Sequence, residues 1–338
     1  MFSTSTQITN MQVGRRATEK ENLPNNWEPL DINKLTVPRN KSIFVFGGNT
    51  TTRPDAANGN AKIVTALLSP DNLNSTEIYS FIYETEVIRS NGMLSKDYEQ
   101  SAQLLYEKTF KPILFDDKGN IKQKKGIEQA FNKIVFVAHC GGSNFVNIIV
   151  DQLHKTLSAY YSQSTADLLI GKIQYFAYAP NEMSIHNTNS LFITPYNDPS
   201  YSWSKSLGIA ENSAVDIDYP KGVAKELIKS KKRACLKNCF ASVFGDTRAI
   251  MFKSGQSTYI IPGAMNPRTS VGDHSIECIA KQRFLNSGTD LEVTARIANY
   301  ASRLYLNEFL RTGNIDTKNA FNKISTEVSN HSTDEHSA

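Results

Sequence analysis

Cysteine is scarce in this chain: 4 in 338 residues, at Cys140, Cys235, Cys239 and Cys278. So few thiols in so long a chain do not make a disulfide scaffold. Cys235 and Cys239 lie four apart, on one face of an expected helix. No Cys or His pair of matching spacing completes a metal site with them, so no metal and no cofactor is expected. Apolar runs are strand-length, far short of the ~20 residues of a membrane span. The first thirty residues lack the apolar stretch of a secretory signal. Neither sign of charge dominates: 37 Lys and Arg face 33 Asp and Glu, a formal net charge of +4. That excludes a dedicated nucleic-acid binder, whose affinity rests on a strong basic field. Internal repeats are absent too. These absences leave a soluble, globular chain without nucleic-acid partners and a cytoplasmic home as the expectation.

What is present is an alternation of strand and helix signals. Short apolar runs at Ser42–Phe46, Glu77–Tyr83, Lys133–Ala138, Lys172–Ala177, Asn189–Thr194, Phe240–Phe244 and Thr258–Ile261 read as strands buried on both faces. Helical spacing falls between them, at Asn60–Leu68, Ser95–Thr109, Gly126–Phe131 and Asn144–Leu157, and again at Ile276–Phe284 and Leu291–Leu310. This order predicts an α/β fold: a mostly parallel central sheet with helices on both faces. Residues 1–40 read as a flexible polar arm with one docked segment near Trp27, residues 41–312 as the folded domain, and residues 313–338 as a disordered polar tail. Residues 200–238 interrupt the rhythm and read as a lid. Within them 223–237 forms a basic amphipathic helix, a candidate surface for a membrane or a host protein.

One turn carries a chemical signal. The strand run KIVFVA passes through His139-Cys140-Gly141-Gly142-Ser143 directly into an apolar helix. Ala138 and Gly142 flank the cysteine at two residues on either side. A nucleophile held on a tight strand-to-helix turn needs small residues at those places, because the chain is pressed against itself there. The helix N-terminus behind it favours a thiolate or an oxyanion.

This turn resembles the nucleophile elbow of the α/β-hydrolase superfamily, with Cys140 in the place that most members give to Ser. The resemblance spans roughly residues 42–310 in architecture and short motifs rather than in continuous similarity. It implies an esterase, lipase or thioesterase-like hydrolase, or an acyltransferase, acting through a Cys-His-Asp triad on a small-molecule or lipid acyl substrate. It implies an oxyanion hole built by Gly141 and by the end of the first long strand, at Gly48 and Asn49. His139 sits inside the elbow and is expected to point elsewhere, and His154, His186, His331 and His336 fall at the wrong places in the order. His274, in the run Gly-Asp-His-Ser-Ile-Glu, remains as the base. That run resembles the His segment of the class 3 lipases. Two acids stay open. Asp198 ends a strand 58 residues beyond Cys140, similar to the class 3 lipases, and Asp246 ends a later strand. Tyr196, Tyr201 and Trp203 would line the acyl pocket. Two other readings stand beside this one: a flavodoxin-like Cys amidase or amidotransferase, and a binding scaffold on the same fold with no catalysis. The Asn-, Lys- and Ser-rich composition and the polar tail resemble bacterial effectors delivered into host cells without a cleaved signal peptide.

Overall fold

The computed structural model of the protein describes residues 12–16, 27–30, 32, 35, 40–48, 51, 54–82, 96–181, 184, 186, 188–195, 250–252, 256–261, 299, 302–304 and 306–312. Among these residues nine strands form one sheet: β1 (Gln12–Arg16), β2 (Trp27–Leu30), β3 (Lys41–Phe46), β4 (Thr76–Ile82), β5 (Ile134–Cys140), β6 (Gln174–Pro180), β7 (Asn189–Pro195), β8 (Ile250–Phe252) and β9 (Gln256–Ile261). Their order across the sheet is β2-β1-β4-β3-β5-β6-β7-β9-β8. The inner run from β4 to β9 is parallel throughout. Antiparallel pairs close both edges. Helices α1 (Pro54–Leu67), α2 (Pro70–Ser75), α3 (Lys96–Leu105), α4 (Lys124–Phe131), α5 (Gly142–Tyr160) and α6 (Gln163–Ile170) connect the strands. The expected α/β class is therefore observed.

The inner strands are apolar on both faces because both faces are covered. Phe44, Phe46, Phe81, Phe136 and Tyr175 face α3, α4, α5 and α6 in a single apolar cluster. Ring contacts bind that cluster: Phe46 stacks on Phe81 at 4.6 Å and on Phe145 of α5 at 4.8 Å. Each Phe fully withdrawn from water contributes about 2–3 kcal/mol. Ile43, Val45, Ile78 and Val137 alternate with these residues and are equally buried on the second face. There α1 packs on β3 and β4. The helical segment 302–312 lies beside α1: Asn307 donates to the Leu67 carbonyl at 2.8 Å, and its side-chain oxygen accepts from the Ser69 backbone N–H at 2.6 Å.

Two features differ from the sequence expectation. Part of the polar segment before residue 41 belongs to the sheet, as β1 and β2. The helix expected to run to Thr109 leaves α-geometry at Tyr106. A turn of π-helix, Tyr106–Phe110, and a 3₁₀ turn, Lys111–Leu114, follow, and together they bury Phe110, Ile113 and Leu114. The expected parallel order holds between β6 and β7, although only eight residues, 181–188, join them. Eight extended residues reach about 28 Å. That exceeds the roughly 23 Å length of a seven-residue strand, so the return needs no helix. The expected strand at Phe240–Phe244, the lid with its basic helix, and the C-terminal tail lie outside the described residues. No helix among the described residues is long and apolar enough to cross a membrane.

Candidate active site at the end of β5

The strand order sets where a site can form. The chain leaves β3 toward β4 on one side and leaves β5 toward β6 on the other. The connections therefore diverge between β3 and β5, and in open α/β sheets such a switch point, at the carboxyl ends of the two strands, is where ligands bind. Gly47 and Gly48 follow β3 there, and Cys140 ends β5.

Cys140 is strained. One residue, Gly141, separates β5 from α5, and so abrupt a turn forces Cys140 to φ 52°. A residue with a Cβ avoids that region, at a cost of about 1–3 kcal/mol. The opposing strand end is strained as well: Ala179 of β6 has φ 46°. His139 pairs with Tyr178 but Cys140 pairs with Pro180, which leaves Ala179 as the extra residue of a bulge.

Glycine is required around the cysteine for space. A Cβ on Gly48 would lie 2.8 Å from Cys140 Cβ and 3.2 Å from its Sγ. A Cβ on Gly142 would lie 2.3 Å from the Phe46 carbonyl oxygen and 2.7 Å from that of Gly47. The first turn of α5 thus rests directly on the backbone of β3. Ala138, the small residue on the other flank, is 1% exposed. The Cys140 side chain is partly exposed.

The turn is pinned from behind. The Cys140 carbonyl accepts from Ser143 Oγ at 2.8 Å and from the Asn181 backbone N–H at 3.2 Å. The Gly141 carbonyl accepts from the buried Tyr98 hydroxyl at 2.7 Å and from the Asn144 N–H at 3.1 Å. In a trans peptide the N–H points opposite to the C=O. The N–H groups of Gly141 and Gly142 are therefore turned away from these partners. They also open a helix, where the first N–H groups have no intrahelical acceptor. Such donors suit a developing oxyanion.

Asn181 is a residue that the sequence reading missed. It is 1% exposed, its Oδ1 accepts from Cys140 Sγ at 3.5 Å, and its Nδ2 has no hydrogen-bond partner. The exchange of carboxamide O and N by a half-turn would put a buried donor on the sulfur instead. The sequence signal was a polar residue directly after a strand, in the run YAPN, but nothing local tied it to Cys140.

His139 departs from the expectation that it points elsewhere. Its Nδ1 lies 3.6 Å from the Cβ position of Gly48, the same point that Cys140 Sγ approaches to 3.2 Å. Side chains on a regular strand alternate between faces. At φ 52° Cys140 leaves extended geometry, and between it and His139 that alternation no longer holds. Its ring also lies parallel to that of Tyr178, with centroids 6.5 Å apart.

Of the expected site residues, the structure brings Cys140, Gly141 and Gly48 together. His274, Asp198, Asp246, Asn49, Tyr196, Tyr201 and Trp203 lie outside the described residues, as do Cys235, Cys239 and Cys278. No protein-family model matches the chain, and no curated protein matches it in sequence.

Proposed function

We propose that the protein is an acyl hydrolase or acyltransferase of the α/β-hydrolase kind, in which Cys140 attacks carboxylic ester or thioester carbonyls. One observation carries this reading. A cysteine with a strained backbone stands at the switch point between β3 and β5, and backbone carbonyls pinned on the far side turn its neighbouring N–H groups the other way. Strain of this kind persists where the surrounding structure over-determines it, most often at functional positions.

In this reaction the base takes the Cys140 thiol proton, the sulfur bonds to the acyl carbon and the carbonyl π pair moves to oxygen. The Gly141 N–H stabilises that oxyanion, and one such donor is worth about 3 kcal/mol. Collapse breaks the bond to the leaving alcohol or thiol, which takes a proton from the base. Water, or an acceptor alcohol or amine, then attacks the thioester and restores the thiol. His274 is the base on grounds of order, oriented by Asp198 or Asp246. His139 is the second candidate because its ring borders the space beside Cys140.

The test is turnover of short- and medium-chain p-nitrophenyl esters by wild-type protein and by Cys140→Ala. Hydrolysis by the wild type alone supports the reading. His274→Ala and His139→Ala then assign the base, and Asp198→Asn and Asp246→Asn the acid. Equal rates in wild type and Cys140→Ala would remove the nucleophile and favour a binding scaffold.

A further inference from the structure

Helix α5 carries a second polar group, about 18 Å along its axis from the turn. His154, buried, projects from α5 toward α6, where its Nε2 lies 2.9 Å from Asp167 Oδ1. The same nitrogen is 2.8 Å from Gln163 Nε2. His186, from the connection between β6 and β7, stacks on His154 with ring centroids 4.0 Å apart and planes 22° apart. Its Nε2 lies 3.2 Å from the carboxylate of Asp151, one turn before His154 on α5. The donor atoms of His154, Asp167 and His186 all fall within 4.8 Å of one another.

His154 Nε2 meets both the Asp167 carboxylate and the Gln163 carboxamide, whose O and N exchange by a half-turn, so that its oxygen can accept from the ring. A cation placed here would take the lone pair of the imidazole and the charge of the carboxylate together. The surroundings suit one. Two carboxylates flank two imidazoles, and Lys155, on Asp151 at 2.5 Å, is the one cation paired with them among the described residues. The Asp167 carboxylate is 42% exposed, which gives an ion its way in.

We propose that His154, His186 and Asp167 form a binding site for one divalent transition-metal ion of the zinc, cobalt or nickel type, with water in the remaining position. Imidazole with carboxylate suits these ions better than calcium or magnesium. Zinc ligands at about 2.0–2.1 Å sit about 3.4 Å apart in a tetrahedral site, so the His154–Asp167 pair need open by only about 0.5 Å. The His186 ring must turn out of the stack, since two parallel rings cannot both aim at one ion. Asp151 is placed to accept the other N–H of His186 and fix its orientation. The ion would clip α5, α6 and the β6–β7 connection together, whatever reaction Cys140 performs.

The experiment is titration of the metal-stripped full-length protein with Co²⁺ and Zn²⁺, followed by calorimetry and by the visible spectrum of Co²⁺. The expected result is one equivalent bound with micromolar Kd, and a Co²⁺ spectrum without a thiolate charge-transfer band. His186→Ala and Asp167→Asn should each weaken binding at least tenfold, while Cys140→Ser leaves it unchanged. Both ligand variants are on partly exposed side chains, and a melt without metal checks that each is folded. Absence of saturable binding below about 1 mM would overturn the proposal, as would binding that survives both ligand variants or a thiolate band that shows the cysteines to be the ligands.

Discussion

The two ends of α5 are built in opposite ways. At its N-terminus the arrangement is made by the backbone: a strained cysteine, glycines that let main chains touch, and carbonyls pinned by Ser143, Tyr98 and Asn181. Toward its C-terminus it is made by side chains, with His154, Asp151, Asp167 and His186 converging from three segments. A backbone-built site is rigid and tolerates almost no added volume. A side-chain-built one can rearrange around what it holds.

That contrast can be broken most directly at Gly142. The Gly142→Ala methyl has nowhere to go but into the Phe46 and Gly47 carbonyls, so α5 must lift from β3. We expect a loss of about 3 kcal/mol or more, read from urea unfolding. A loss under 1 kcal/mol would mean that the turn is as adaptable as the far end. A smaller and sharper effect is expected at Cys140. On an ordinary strand glycine is worse than alanine by about 0.5–1 kcal/mol. At φ 52° the order should reverse, with Cys140→Gly more stable than Cys140→Ala by about 1 kcal/mol in thermal melts. Alanine at least as stable as glycine would show a turn without strain. The smallest effect belongs to the other end. Burial lowers the His186 pKa, so the unfolded chain takes up a proton before the folded one does. The contribution of His186 is complete above about pH 6.5, its unfolded value. It is lost as pH falls through the lower, folded value. Unfolding midpoints measured from pH 8 to pH 5 should fall, and His186→Gln should flatten that slope while Gly142→Ala should not. An unchanged slope in His186→Gln would place the titration elsewhere.

The same contrast explains what the sequence made legible. The turn at Cys140 is contiguous, so its spacing of small residues around a cysteine could be read directly. The long inner strands were equally plain, because burial on both faces writes an uninterrupted apolar run. β1 (QVGRR) and β2 (WEPL) lack that run: antiparallel strands at the margin of the sheet, β2 at its edge and β1 next to it, they carry glycine, proline and charge and read as a polar arm. α6 was missed although Ser162 caps it, accepting from the Thr165 N–H at 3.3 Å. His154 and His186 stand 32 residues apart in the chain, and their order relative to Cys140 carries no sign that they meet. Their meeting depends on how the β6–β7 connection returns along the sheet, which no local pattern encodes. Asn181 was invisible for the same reason.

The brevity of that connection also has a consequence in time. Gln174 and Asn189 pair across only 15 residues of chain, whereas Ser42 and Ile134 pair across 92. Loop-closure entropy makes the longer pairing harder to begin by about 1.6 kcal/mol. Parallel sheets are slow to fold because their contacts are distant in sequence. Among the described strands β6 and β7 are the parallel pair nearest in sequence, a local seed from which the sheet can grow. In pulse-labelled hydrogen exchange during refolding, amides of Tyr175–Tyr178 and Ser190–Ile193 should gain protection before those of Ile43–Phe46. Simultaneous protection would mean that the sheet assembles in one step.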